Sequence, residues 1–121
     1  VWSSPVVADG TVYVGGTDNT VYALDAGDGT EQWSHGTGDT IESPPAVVDG
    51  TVYVGSRDTN VYALDAGDGT EQWTFKTEKA VDSSPAVSDG TVYVGSGENR
   101  VYALEADDGT ERGAHETGNA V

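Results

Sequence analysis

The chain has 121 residues and a formal net charge of −16, from 21 acidic residues against 5 basic ones, and it contains no cysteine. One domain with a core of modest size fits that length. The charge argues against nucleic acid and anionic membrane surfaces as partners, since both are polyanions, and the missing thiol rules out disulfides, zinc–thiolate sites and thiol catalysis.

The acids are interleaved with Val, Tyr and Trp rather than gathered in a tail, which is the pattern of a folded chain. Evenly spread carboxylates with few lysines fit adaptation to high salt, where counterions screen their repulsion; an ordinary acidic protein is the alternative. No apolar run reaches the length of a membrane span, so no membrane insertion is expected. No signal peptide opens the chain, and its first residue is Val1, as expected of a processed or excised piece.

Reading from the first residue onward, every element returns after forty positions. Pro5, Pro45 and Pro85 head equivalent stretches, Asp9-Gly10 recurs as Asp49-Gly50 and Asp89-Gly90, and TVYVG starts at 11, 51 and 91. In the first repeat, Pro5-Val6-Val7-Ala8 reads as a short strand. Asp9-Gly10 then forms a two-residue type I′ hairpin turn, which needs positive φ at both residues, and TVYVG follows as the second strand. A short polar loop leads to the third strand, VYALD at 21–25, then a turn around Gly27-Asp28-Gly29, then a fourth strand TEQWS. Short strands separated by turn residues about every ten positions define an all-β chain.

Both faces of the central strands carry sizeable side chains, with Val12 and Val14 opposed to Tyr13, and Tyr22 and Leu24 opposed to Ala23. A sheet with one wet face would show polar residues at alternate positions, so these sheets are expected to be covered on both sides. Small four-stranded sheets stacked face to face, one per roughly 40–50 residues, are the blades of a β-propeller. The expected domain spans 1–121, with blades at 1–40, 41–80 and 81–121.

The stretch ALDAGDGTEQW, present at 23–33 and again at 63–73, resembles the A-x-D-x-x-T-G-x-x-x-W signature of pyrroloquinoline-quinone-type, tryptophan-docking propeller repeats. Ala23, Asp25, Gly29 and Trp33 match it, as do Ala63, Asp65, Gly69 and Trp73; Asp28 and Asp68 stand where the family has threonine. The resemblance implies a tryptophan laid flat against the neighbouring blade over a small residue (Ala23, Ala63 or Ala103). It further implies an aspartate accepting turn N–H groups and a glycine supplying positive φ. Each docked indole is expected to lie near the small alanine of a neighbouring repeat.

The third copy, ALEADDGTERG, ends in Gly113 instead of tryptophan. Its outer strand is therefore expected either not to dock as the others do or to have its gap filled by another side chain, for which Trp2 is the candidate. Three blades do not close a ring, since closed propellers use about 4–8. The chain is thus expected to be a partial propeller or half of a six-bladed self-assembled ring. Its open faces are expected near Val12, Tyr13, Val21 and Ala23 on the first blade, and near Val92, Tyr93 and Val101 on the third.

Chemistry finds little support in the residues. Quinone-dependent dehydrogenases share the blade motif, but they need a catalytic base, calcium ligands and often a cysteine pair, and here no acid stands out from its repeat equivalents as a catalytic base should; acids shared between blades are turn formers. No catalytic residue, cofactor or metal ligand is assigned. The DAGDGTE turns are too short to wrap a calcium ion. His35 and His115 alternate with Phe75 at one repeat position, which marks a partly buried strand site rather than a ligand.

The first two repeats differ mainly in the loop between second and third strands and in the connection between blades, which emerge on one rim. A partner-reading face must vary from blade to blade, with loop drift as the alternative. The residues placed on this rim are Asp18, Asn19, Arg57, Asp58, Phe75, Lys76, Glu98, Asn99 and Arg100. The reading that follows is a non-catalytic scaffold or protein-binding module, similar in spirit to the propellers of bacterial outer-membrane assembly. Its partner is a protein, including a second copy of itself with a dimer favoured, and the family resemblance favours an extracytoplasmic or cell-surface location. The alternatives are a piece of a quinone-dependent dehydrogenase, or an engineered or excised repeat unit.

Overall fold

The computed structural model describes residues 5–16, 18–41, 44–77, 79–81, 84–96 and 100–116. Among them the first repeat forms β1 (Val6–Ala8), β2 (Thr11–Gly15), β3 (Thr20–Asp25) and β4 (Glu31–Gly36). The second forms β5 (Ala46–Val48), β6 (Thr51–Gly55), β7 (Asn60–Asp65) and β8 (Glu71–Lys76), and the third β9 (Ala86–Ser88), β10 (Thr91–Ser96), β11 (Arg100–Glu105) and β12 (Glu111–Glu116). Each set is a four-stranded antiparallel meander with neighbours in chain order. Neither helix nor strand exchange between repeats interrupts this plan among the described residues.

The turns follow their residues. Asp9 and Gly10 adopt φ of 51° and 76°, and Asp49-Gly50 and Asp89-Gly90 do the same, which is the left-handed pair that a two-residue hairpin requires. At the β3–β4 turn, Asp25 Oδ1 accepts the Gly27 N–H at 2.7 Å, and the Gly29 N–H donates to the Asp25 carbonyl at 2.8 Å. Asp28, in the threonine position of the motif, accepts the Thr30 N–H at 3.0 Å and its hydroxyl at 2.8 Å. The substitution is therefore structurally competent.

A row of three residues crosses each sheet. Tyr13 pairs with Ala23, and Ala23 pairs with Trp33, so all three side chains leave the same face. The register shifts between Ala23 and Leu24, with Glu31 opposite Leu24 and Trp33 opposite Ala23. Gln32 is the extra residue of this bulge, a device that re-aims a side chain at a sheet edge. Because alanine is small, the rings on either side meet above it, with Tyr13 and Trp33 centroids 6.1 Å apart. Tyr53, Ala63 and Trp73 repeat the arrangement at 6.0 Å.

These rows face the next sheet. Tyr13, Val21, Ala23 and Trp33 bury against Val52, Val54, Tyr62 and Leu64, and Tyr53, Val61, Ala63 and Trp73 bury against Val92, Val94, Tyr102 and Leu104. Ile41 and Val81, at the blade connections, are fully buried in the same two layers. The central sheet is covered on both faces, as its doubly apolar strands require. The outer two are covered on one face each.

The open faces differ from the sequence expectation. Tyr13, Val21 and Ala23 are buried against the middle sheet, and the open face of the first sheet carries Val12, Val14, Tyr22 and Leu24. On the third sheet Val92 is buried, whereas Tyr93, Val101 and Ala103 lie on the open side, with Tyr93 43% exposed. The reason is the period of two: Val12 and Tyr13, like Val92 and Tyr93, are adjacent along a strand and point to opposite faces.

The partner of each indole is also more specific than the sequence implied. The alanine of the next repeat that meets Trp33 is the turn residue Ala66 and not the strand residue Ala63: its carbonyl accepts the indole Nε1–H at 2.9 Å, and Ala106 does the same for Trp73 at 2.9 Å. The ring lies on the next repeat's glycine turn. A Cβ placed on Gly69 would stand 2.5 Å from Trp33 Cε3, whereas one on Gly29 would meet nothing within 4 Å. Gly69 thus serves twice, for its φ of 78° and for the close approach.

That asymmetry gives a stability test. Gly29→Ala should cost about 1–2 kcal/mol, the charge for a left-handed backbone alone. Gly69→Ala should exceed it by a further ~1–3 kcal/mol, because the methyl overpacks the docked indole. Urea unfolding of both variants checks this, and equal losses would contradict the docking described.

Candidate functional site

Two surfaces are candidates for function: the rim formed by the β2–β3 loops with the blade connections, and the open apolar sheet faces. On the rim, most of the described residues singled out from sequence engage a neighbouring strand, loop or blade. Asp58 accepts the Tyr62 hydroxyl in a short hydrogen bond, the Asn60 N–H at 3.0 Å, and the Gly38 N–H of the preceding connection at 2.8 Å. The Arg57 N–H donates to the Thr40 carbonyl at 3.0 Å. Asp58 and the Arg57 backbone therefore tie the second blade to the first.

The other rim residues are distributed unevenly. Asp18 is exposed and takes the hydroxyl of Tyr22 in a short hydrogen bond, repeating the Asp58–Tyr62 pair on the open face. The Asn19 carbonyl accepts the Thr37 N–H at 2.7 Å, and Lys76 Nζ donates to Thr59 Oγ1 at 3.0 Å. Phe75 stands apart from the rest. It is partly buried between blades, edge-on to Tyr102 with centroids 5.2 Å apart, and His35 meets Tyr62 in the same way at 5.8 Å. Arg100 opens β11 and is partly buried. Glu98, Asn99 and Trp2 lie outside the described residues, as does the side chain of His115.

Position 19 of the repeat carries backbone strain in one copy. Asn19 has φ of 66°, which asparagine tolerates, but its counterpart Thr59 has φ of 74°. A β-branched residue pays for the left-handed region in steric crowding. Thr59→Asn should therefore raise stability by about 1 kcal/mol, read as a shift of the urea midpoint; a neutral or destabilising result would place the strain elsewhere.

On the opposite rim, where the Asp-Gly hairpins and the third-to-fourth-strand turns emerge, the structure holds a cleft of about 390 Å³ between the second and third sheets. Asp49, Asp89 and Asp107 line it together with Thr51, Tyr53 and Gln72. Burial raises the pKa of the Tyr53 hydroxyl, and the charges of Asp107 and Asp49 add to the effect. The signal available in the sequence was Asp107, which stands where the first two repeats have Gly27 and Gly67.

Titration of the turns and of the junction should be visible in stability. The backbone N–H and hydroxyl of Thr30 hold Asp28 below the usual carboxylate range, and Thr70 and Thr110 do the same for Asp68 and Asp108. Carboxylates lowered by folding stabilise the native state above their unfolded pKa of about 3.9, and that contribution is lost as pH falls below it. Tyr62 behaves oppositely: burial, then the bond to Asp58, pushes its pKa from 10.0 up to about 12. Its contribution is complete below pH 10 and is lost as pH rises through about 12. The urea midpoint should accordingly fall across that alkaline range, and Tyr62→Phe should flatten this limb while leaving the acid limb in place.

Meander sheets stacked face to face, each locked by an outer-strand indole on the next sheet's glycine turn, define blades of a β-propeller with pyrroloquinoline-quinone-type repeats. The family model described as outer membrane protein assembly factor BamB matches residues 1–42 and 36–118, and the chain belongs to that family. No curated protein matches the chain. Among solved structures it is similar to BamB from Moraxella catarrhalis, at 21% identity and a TM-score of 0.85, over 95% of this chain and 36% of that one. It is also similar to the quinohemoprotein alcohol dehydrogenase ADHIIG from Pseudomonas putida HK5, at 31% identity and a TM-score of 0.84, over 93% of this chain and 20% of that one. A computationally designed protein, Ika8, shares 19% identity at a TM-score of 0.88, over 98% of this chain and 37% of that one. The chain thus spans well under two thirds of the length of each.

Proposed function

We propose that the chain is a non-catalytic propeller scaffold that binds protein, and that one of its partners is a second copy of itself. The observation that carries this reading is the pair of open sheet faces. Val12, Val14, Tyr22 and Leu24 at one end are only partly buried, whereas their counterparts Val52, Val54, Tyr62 and Leu64 are covered by the first sheet's Tyr13, Val21 and Ala23. At the other end Tyr93, Val101 and Ala103 are the counterparts of those covering residues. Each end therefore offers what the other end lacks.

Leaving such faces wet forfeits roughly 25 cal/mol for every Å² of apolar surface. Head-to-tail contacts between copies form a ring if the rotation closes and an open filament if it does not; two copies give six blades, within the common range of about 4–8. Asp18 then takes the place of Asp58 at the new junction, ready to accept an N–H from the incoming chain. The resemblance to an outer-membrane assembly factor supports an extracytoplasmic setting and protein partners.

A second reading, a piece of a quinone-dependent dehydrogenase, draws support from the 31% identity to the quinohemoprotein enzyme. Against it stand the absent cysteine and carboxylates such as Asp25, Asp28 and Asp58 that are engaged with backbone N–H groups. A thermal shift on adding quinone with calcium would favour the enzyme.

Light scattering tests the scaffold reading directly. In molar potassium chloride, which screens the net charge of −16, the particle should be a multiple of the 12.5 kDa chain and should melt higher than in dilute buffer, where the Debye length grows to about 30 Å at 0.01 M. A monodisperse monomer in high salt would end the self-association proposal.

A further inference from the structure

One binding arrangement is filled twice inside the chain and left half-built at each end. In the filled copies an indole lies beside its own sheet's tyrosine, opposite its own alanine, and on the next sheet's glycine turn. Its Nε1–H is donated to Ala66 or Ala106. The third sheet retains the tyrosine and the alanine, since Tyr93 pairs with Ala103, but Ala103 pairs with Gly113. What remains is an apolar hollow of about 280 Å³ lined by Tyr93, Val101, Ala103, Gly113 and Ala114.

The first sheet holds the complementary half. Ala26 and Gly29 occupy the positions of Ala66 and Gly69, and the Gly29 turn is exposed where Gly69 and Gly109 are buried. Once a second copy covers it, an apolar hollow left by a large-to-small replacement takes up aromatic molecules, because water would find too few hydrogen-bonding partners there. An N–H donor is favoured in addition, since the carbonyl at this position is paired with one in both filled copies and a buried acceptor left without a donor is destabilising.

We infer that the junction between two copies of the chain binds a free planar aromatic molecule of the indole class, seated in the hollow beside Gly113 of one copy with its N–H donated to Ala26 of the other. This rests on the head-to-tail association proposed above. The ligand replaces the side chain that Gly113 lacks and so couples aromatic binding to assembly. Indene, which has the same shape without the donor, should act more weakly.

Sedimentation velocity of the full chain in molar potassium chloride, with and without indole, tests the inference. Indole should raise the association constant about tenfold for each junction it occupies once it exceeds its own dissociation constant by about that factor, and indene should fall several-fold short. Gly113→Trp should associate more tightly than the wild type and ignore added indole. Saturation-transfer NMR on the wild type with indole supplies a readout that does not depend on the variant folding. If the wild type assembles but indole neither binds nor shifts its association, the ligand site is refuted and the assembly reading stands. Indole that binds without changing particle size also refutes it. If neither chain associates with or without indole, both readings fall.

Discussion

Everything in this fold depends on an indole placed between two sheets. Trp33 is aimed by a bulge at Gln32, steadied by Tyr13 across the small Ala23, and received by the Gly69 turn with a hydrogen bond to Ala66. Each participant is constrained by that one contact. Alanine must be small for the two rings to meet above it, glycine must lack a side chain for the ring to lie flat, and the turn must present a carbonyl. A well-packed tryptophan is worth about 3–5 kcal/mol against its truncation, a large share of what holds a small domain together. The verbatim repetition of thirteen residues, VYALDAGDGTEQW at 21–33 and 61–73, follows from this: the motif records both halves of a contact, the half that is given and the half that receives.

Much of this was legible before any coordinate. The forty-residue period, the Asp-Gly hairpins and the alternation of apolar residues lead directly to four-stranded sheets stacked face to face, although only the middle one is covered on both sides. The strands fall where Val6, Thr11, Val21 and Trp33 place them, with small differences at their ends. The pairing of faces was less legible. Period two says that Val12 and Tyr13 oppose each other, but not which of them meets the following blade. That is decided by the bulge at Gln32, which puts Trp33 on the face of Tyr13. Nothing in the local pattern announces the bulge, because TEQW reads equally well as a regular strand.

The rim was harder still. Variation between repeats located it, yet variation does not distinguish a residue that meets a partner from one that meets the next blade. Asp58 and Phe75 are joined to neighbouring blades through Gly38 and Tyr102, contacts between segments that are distant in sequence. The acidic cleft on the opposite rim escaped notice for a related reason. It arises from three short turns, those of Asp49, Asp89 and Asp107, that become neighbours only when two sheets stack.

The docking contact also has a direction. Both docked indoles among the described residues are given by an earlier repeat to a later one, from Trp33 to Gly69 and from Trp73 to Gly109. During synthesis the first sheet therefore leaves the ribosome complete in its strands but unable to seat its tryptophan until the second repeat's turn has been made. Each new blade secures the one before it and is itself provisional until the next arrives. Such a chain matures in the order of its translation, always trailing one unfinished unit. Gly113 marks the place where that hand-over stops.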